Sequence, residues 1–202
     1  MSEETNSQAS YGAAVFLDRD GTIIEDRGYL SDPAEVVWHE QTVSSLLRLS
    51  ECFHLFMVTN QDGVAKGRIS RGAVDRVNAY VASVLERHGA PIAATYVCPH
   101  DHGAGCRCRK PSPYFPEKAE QDFRIDLGRS FVVGDHPQDV ELAENAGATG
   151  IYVLTGHGRK HRAEIPGDSI VADGIGEAAE EILARGRRAG DGADREPGRR
   201  EL

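Results

Sequence analysis

At 202 residues, with hydrophobic residues at 40% and charged residues at 27%, the chain has the size and composition of one soluble globular domain. A formal net charge of -9 excludes a basic face of the kind nucleic-acid binding needs, since phosphate neutralisation supplies most of that affinity. The opening MSEETNSQASYG has neither a basic n-region nor an apolar h-region, and runs such as HLFMV and SFVV are too short to span a bilayer. These features predict a cytoplasmic protein with reduced thiols and no membrane partner.

Residues 1–11 lack apolar periodicity and are expected to be disordered. A domain over 12–186 follows, built from short apolar strands alternating with helical patterns, which predicts an α/β fold with a parallel sheet. Strands are expected at 13–18, 54–59, 94–98, 130–134 and 150–154, each a continuous apolar run as in strands buried on both faces. Helices are expected at 42–51, at 71–88, from about Ser112 and Pro113, at 137–146 and at 177–184. The second is the clearest, with Val74, Val77, Val81, Val84 and Leu85 at helical spacing, Ser70 as N-cap and Gly89 past its end. Cys52, alone in an apolar stretch, reads as core filler, and residues 187–202 as a disordered charged tail.

Chemistry-bearing residues gather at the carboxyl ends of these strands, where open α/β sheets bind ligands. The first strand ends in FLDRDGTI, so Asp18 and Asp20 emerge together; one carboxylate can attack or hold metal while the other moves protons. Thr59 and Asn60 end the second strand with a hydroxyl and an amide suited to phosphoryl oxygens. Arg109 and Lys110 follow the third, and Asp135, with Asp139 one helical turn later, ends the fourth. Taken singly, each of these could be a polar turn, a solvated pair or a helix cap.

The segment CPHDHGAGCRC offers a second constellation. Cys98, His100, Cys106 and Cys108 match a closed tetrahedral zinc site, with His102 as an alternative to His100 that Pro99 disfavours. With all four positions filled, the zinc is expected to be structural and to aim Arg109 and Lys110, which follow the last ligand directly.

The four strand ends together resemble the haloacid dehalogenase superfamily, from Val15 to about Leu154: a DxD-GT strand end, a Ser/Thr, a Lys, and an acidic GD-x-x-x-D. The resemblance implies a Rossmann-like three-layer fold and a Mg²⁺-dependent phosphatase. Asp18 would be the nucleophile forming an aspartyl-phosphate, and Asp20 the general acid and base. Asp18, Asp135 and the Asp20 carbonyl would hold Mg²⁺. Thr59 and Lys110 would bind the phosphoryl group, and Asp139 would orient Lys110 or a metal-bound water. No gap leaves room for a cap domain, so a capless core is expected, with specificity carried by loops.

The CxH…CxCRKP loop, with DRDGTI…DRGYL and VTNQDGVAKGRIS, is similar to the heptose 1,7-bisphosphate 7-phosphatases and the related histidinol-phosphate phosphatases. His136 departs from the pattern, in which Lys or Arg commonly follows the aspartate. A bisphosphate sugar would call for cations away from the metal, for which Lys66, Arg68 and Arg109 are candidates, with Asn60 as a further substrate contact. Histidinol phosphate, a cation, would instead favour Glu25, Asp26 or Asp62. A zinc-stabilised binding module on an inactive core and a nucleic-acid end phosphatase are the remaining readings. Both catalytic aspartates stand against the first, and the acidic balance against the second. A monomer acting on a small phosphorylated sugar is expected.

Overall fold

The computed structural model describes residues 12–193, and within them a six-stranded parallel sheet in the order β3-β2-β1-β4-β5-β6. The strands are β1 (Ala14–Leu17), β2 (His54–Asn60), β3 (Ile92–Cys98), β4 (Phe131–Gly134), β5 (Thr149–Val153) and β6 (Ile170–Ala172). The helices are α1 (Thr42–Ser50), α2 (Arg71–Arg87), α3 (Tyr114–Phe123), α4 (Pro137–Ala146), α5 (Gly158–His161) and α6 (Ile175–Ala193).

Side chains of a strand alternate between faces, and β1 shows the consequence. Val15 and Leu17 pack with residues of α1, α2 and α6, while Ala14 and Phe16 pack with Phe115, Ala119, Leu142 and Ala143 of α3 and α4. The result is three layers with the sheet buried between two helical faces. Phe16 stacks on Phe56 at 5.1 Å between ring centroids. Ser130 is tolerated in this interior because its hydroxyl is saturated: it accepts from the Ala14 N–H at 2.9 Å and donates to the Asp126 carbonyl at 2.6 Å.

Five predicted strands and five predicted helices are present, with ends shifted by a few residues except at the end of the last helix. The sixth strand was not expected; at three residues, IVA carries too little pattern to stand out. α6 extends to Ala193, past the expected end at 184 and into the segment expected to be a disordered tail. The expected disordered residues 1–11 and the remainder of the tail beyond Ala193 lie outside the described residues. β3 is not buried on both faces as expected, because it is an edge strand with several half-exposed side chains. Cys52 is corrected likewise: it lies exposed in the turn between α1 and β2, where the chain leaves the core, and does not fill it.

The order places β1 beside β4, with the chain winding away in opposite directions on either side. That is the topological switch point, where a crevice opens beyond the strand ends. Residues 21–41, between β1 and α1, form a flap held by an isolated Ile24–Trp38 bridge and one 3-10 turn over Pro33–Glu35. Between β2 and Lys110 the chain supplies α2, β3 and the cysteine loop, so the described residues contain no cap domain. No helix among them is long and apolar enough to cross a membrane.

Candidate active site and cysteine cluster

Strands β1 and β4 deliver Asp18 and Asp135 to the switch point, and α4 turns Asp139 back towards them. Carboxylate oxygens of the three lie within 4.8 Å of one another. Lys110 enters from the cysteine loop and spans the group: its Nζ is 2.7 Å from Asp18 Oδ1 and 2.7 Å from Asp139 Oδ1. Burial opposes the charge on Lys110, but the two carboxylates outweigh it and hold the ammonium above its ordinary range. Asp139 also accepts from the His136 N–H at 3.1 Å, so it is anchored as well as paired.

Negative charge remains in excess. Burial, with Asp18 and Asp139 close by, pushes the Asp135 carboxyl up to about 8. Burial likewise raises Asp18, against the pull of Lys110. Crowded, buried oxygen donors with one shared ammonium are the donor set that a hard divalent cation such as Mg²⁺ satisfies. Two glycines make the crowding possible. A Cβ on Gly21 (φ 82) or Gly156 (φ 51) would collide with Asp135 Oδ2, and both positions have the left-handed backbone that glycine tolerates best. The same oxygen accepts from the His157 N–H at 2.7 Å.

Asp20 stands apart from this cluster, its carboxylate turned to Arg19 and to Gln61, which donates at 2.7 Å. Burial raises its pKa, and the Arg19 guanidinium opposes that rise. Gln61 Nε2 also donates to Thr59 Oγ1 at 2.8 Å, linking the acid to the hydroxyl at the end of β2. Asn60 lines the cleft and is also tied to the protein itself. Its Oδ1 accepts from the Lys110 N–H at 3.1 Å, and its Nδ2 donates to Gln138 at 3.2 Å, so it ties the cysteine loop to β2.

Asp18, Asp20, Thr59, Asn60, Gln61, Lys110, Asp135 and Gln138 line a cleft of about 510 Å³ with Asp26 and Tyr29 of the flap, Asp62, Lys66, Arg109, His136 and His157. Lys66 pairs with Asp62 at 2.8 Å and Arg109 reaches the same carboxylate at 3.7 Å, so both candidate cations stand at the rim. Arg68 is exposed and does not line the cleft. Asp26 is engaged by His157 at 2.8 Å, and Glu25 is exposed outside the lining. Burial and the neighbouring His161 lower the pKa of His136, so it brings no positive charge at neutral pH. A larger groove, about 980 Å³, opens beside Gly12, Arg48 and Gly186, but it lacks any clustered acids.

The cysteine cluster closes on itself. Cys98 Sγ is 3.6 Å from Cys106 Sγ and 3.6 Å from His100 Nδ1; Cys108 Sγ is 3.8 Å from Cys106 Sγ and 3.3 Å from His100 Nδ1. Ligands about 2.3 Å from one centre at tetrahedral angles stand about 3.8 Å apart, so this spacing fits zinc, and it is far beyond the roughly 2.05 Å of a disulfide. His100 is the histidine in the group; His102 is exposed and outside it. Arg109 Nη1 donates to the His100 carbonyl at 3.1 Å, coupling the cluster to the cleft.

Arg19, Gln61, Gln138, Thr155 and His157 were not singled out from sequence. Gln61 had a signal, since VTNQ places it two residues after Thr59 and hence on the same side of an extended chain. Thr155, which donates to the Gly21 carbonyl at 2.6 Å, and His157 follow β5, a strand whose end carries no acid to draw notice.

Comparison with known proteins bears on the family and the fold. Residues 107–178 match the family model for HAD-hydrolase-like proteins. The D-glycero-beta-D-manno-heptose-1,7-bisphosphate 7-phosphatase of Vibrio cholerae is 36% identical over 152 residues, 71% of this chain and 82% of that protein. The enzyme of the same name from Haemophilus ducreyi is 34% identical over 167 residues, 78% of this chain and 92% of its own. Among solved structures, the D,D-heptose 1,7-bisphosphate phosphatase of B. bronchiseptica, complexed with magnesium and phosphate, superposes with a TM-score of 0.78 at 28% identity. That match covers 85% of this chain and 98% of the other.

Proposed function

Given that the chain belongs to the haloacid dehalogenase-like phosphatases, we propose that it removes the C7 phosphate from D-glycero-D-manno-heptose 1,7-bisphosphate through a phosphoryl group carried on Asp18. The observation that carries this reading is Lys110, held at 2.7 Å from both Asp18 and Asp139 at the switch point. A carboxylate can attack a phosphate dianion only where their mutual repulsion is offset, and this ammonium stands against the attacking oxygen.

Asp18 Oδ attacks phosphorus in line with the leaving oxygen, whose bond to phosphorus breaks. Asp20 gives that oxygen a proton and so releases an alcohol in place of an alkoxide. A water then attacks the phosphoryl group on Asp18 while Asp20 takes its proton back, freeing phosphate and the carboxylate. Lys110 and the Thr59 hydroxyl hold phosphoryl oxygens through both steps, and Asp139 keeps Lys110 in place. Mg²⁺ held by Asp18, Asp135 and the Asp20 carbonyl would neutralise phosphoryl charge. The zinc loop would order Arg109, which with Lys66 offers positive charge at the rim for the second phosphate. The substrate assignment is supported by the names of the relatives and by these two rim cations.

Release of phosphate from both anomers of the heptose bisphosphate and from histidinol phosphate tests the assignment. One heptose anomer should exceed histidinol phosphate in kcat/KM by at least about a hundredfold, a modest demand for a site that pairs a charged group. Equal or better turnover of histidinol phosphate would overturn it.

The metal assignment has a readout independent of turnover. Burial holds the Asp135 carboxyl at about 8, well above the ordinary carboxylate value of 3.8. Its contribution to metal-free stability is therefore complete below about 3.8 and is lost as pH rises through about 8. Mg²⁺ needs the deprotonated carboxylate, so it compensates most where that loss is complete. The rise in Tm on adding Mg²⁺ should be larger at about pH 8.5 than at about pH 6. Calorimetry showing a rise that shrinks with pH would contradict it.

A further inference from the structure

Arg19 stands between the two catalytic aspartates in sequence, and its side chain is fully buried. Its Nε donates to Asp20 Oδ1 at 3.1 Å and its Nη2 to Asp20 Oδ2 at 2.8 Å, a fork on both oxygens of one carboxylate. The far side of the guanidinium is held as well: Nη1 donates to Asn78 Oδ1 at 2.7 Å. Asn78 lies on the buried face of α2 among Val74, Val77 and Val81, where an apolar residue would be expected. Its own Nδ2 is buried with no hydrogen-bond partner. Leaving a buried donor unsatisfied is costly, so what this position gains from an amide is the acceptor that fixes Arg19.

We infer that Arg19 and Asn78 are positioning residues that hold the Asp20 carboxyl at one orientation for proton transfer. The inference rests on the phosphatase reading above. An ionised carboxylate has about four lone-pair sites. Three are taken here, one on Oδ1 by Arg19 Nε and two on Oδ2 by Arg19 Nη2 and Gln61 Nε2. The remaining site, on Oδ1, is then the one place where Asp20 carries the proton it delivers. A carboxylate in the segment after a strand would otherwise rotate about its terminal torsion, which has no sharp minimum of its own. The rigid fork of arginine, which lysine cannot reproduce, stops that rotation.

The proton matters in proportion to the leaving group. When Asp18 forms its bond to phosphorus, the electron pair of the breaking P–O bond passes to the leaving oxygen. A sugar or alkyl alkoxide must take up a proton as it leaves, whereas p-nitrophenolate is stable as the anion. A loose Asp20 therefore slows phosphoryl transfer from an alkyl phosphate and spares transfer from an aryl phosphate. A general loss of structure would slow both alike.

The test compares wild type with Asn78→Leu, which keeps the branched shape of the side chain and removes the acceptor, and with Arg19→Lys, which keeps charge and removes the fork. Both are measured with the heptose bisphosphate and with p-nitrophenyl phosphate. Arg19→Ala is avoided, because removing one partner of a buried ion pair strongly destabilises a fold. For each variant kcat/KM should fall at least about tenfold for the sugar phosphate, part of the roughly hundredfold or more that one acid–base group supplies, and less than about threefold for the aryl ester. An early burst of nitrophenolate should also appear, because return of the proton to Asp20 in the second step is slowed. Equal falls for the two substrates in folded variants, or no fall, would overturn the clamp. If wild type hydrolyses neither substrate, the phosphatase reading itself fails, a result distinct from an unchanged ratio between two substrates that wild type does hydrolyse.

Discussion

Asp18→Asn eliminates turnover and leaves the fold intact. The side chain is 11% exposed and its partner Lys110 keeps a second carboxylate in Asp139, so the variant leaves no unpaired ammonium. It also removes one of the negative charges that raise Asp135, which offsets part of the lost ion pair. The amide is almost the same size, so no cavity opens. What it lacks is the anionic oxygen that attacks phosphorus. Loss of an enzyme nucleophile costs up to about a millionfold in kcat, and spontaneous phosphate-monoester hydrolysis is too slow to disguise it. A steady-state assay should show at least about a ten-thousandfold fall in kcat with Tm changed by only a few degrees. Activity within about tenfold of wild type would remove Asp18 from the mechanism.

Cys106→Ser should separate the zinc loop from the core. Cys106 Sγ stands 3.6 Å and 3.8 Å from the sulfurs of Cys98 and Cys108, so its loss opens the tetrahedron and zinc content should fall. The two residues behind the loop are secured differently. Arg109 depends on the His100 carbonyl, inside the loop, whereas the Lys110 backbone is pinned to Asn60 at the end of β2. A loosened loop should therefore misplace Arg109 more than Lys110. A displacement of about 1 Å can cost roughly a hundredfold, so a fall of that order in kcat/KM is expected, carried more by KM than by kcat. Global stability should drop modestly: the core on the α1, α2 and α6 side of the sheet contains no loop residue, and on the other side Cys106 and Cys108 only edge the cluster around Phe16, Phe56 and Phe115. Elemental analysis, kinetics and a melt on one preparation decide it. Zinc loss with unchanged kinetics would detach the loop from the site, and outright unfolding would make zinc a support of the whole domain.

The parts of the site that were legible in sequence are those that a strand end exposes. An apolar run followed by Asp, Thr or Asp marks a carboxyl edge, and parallel strands bring such edges together whatever their separation in the chain. Asp18, Asp135 and Thr59 are brought to one cleft for that reason, and Lys110 joins them from the loop after β3. The cysteine cluster was legible because few other arrangements explain Cys and His at that spacing. Pairings across the fold were not. Arg19 reads as a solvated turn residue, and only the packing of α2 against β1 turns it inward to Asn78. Asn60 offers the same amide whether it meets a substrate or a backbone, and its bond to Lys110 spans fifty residues. Lys66 and Arg68 look alike in VAKGRIS, but the turn faces one to the cleft rim and the other away. β6 escaped notice because three residues cannot display a period.

Passage of phosphorus through Asp18 is the step on which the proposed mechanism turns. Rapid quenching of the enzyme with a phosphoryl-labelled substrate, followed by borohydride reduction, addresses it directly, because the reagent converts an aspartyl-phosphate to homoserine. Label should appear on the protein during turnover and homoserine at position 18 alone after reduction, with neither in Asp18→Asn. Full turnover with no trapped label, or homoserine at Asp20 or Asp135 instead, would contradict it.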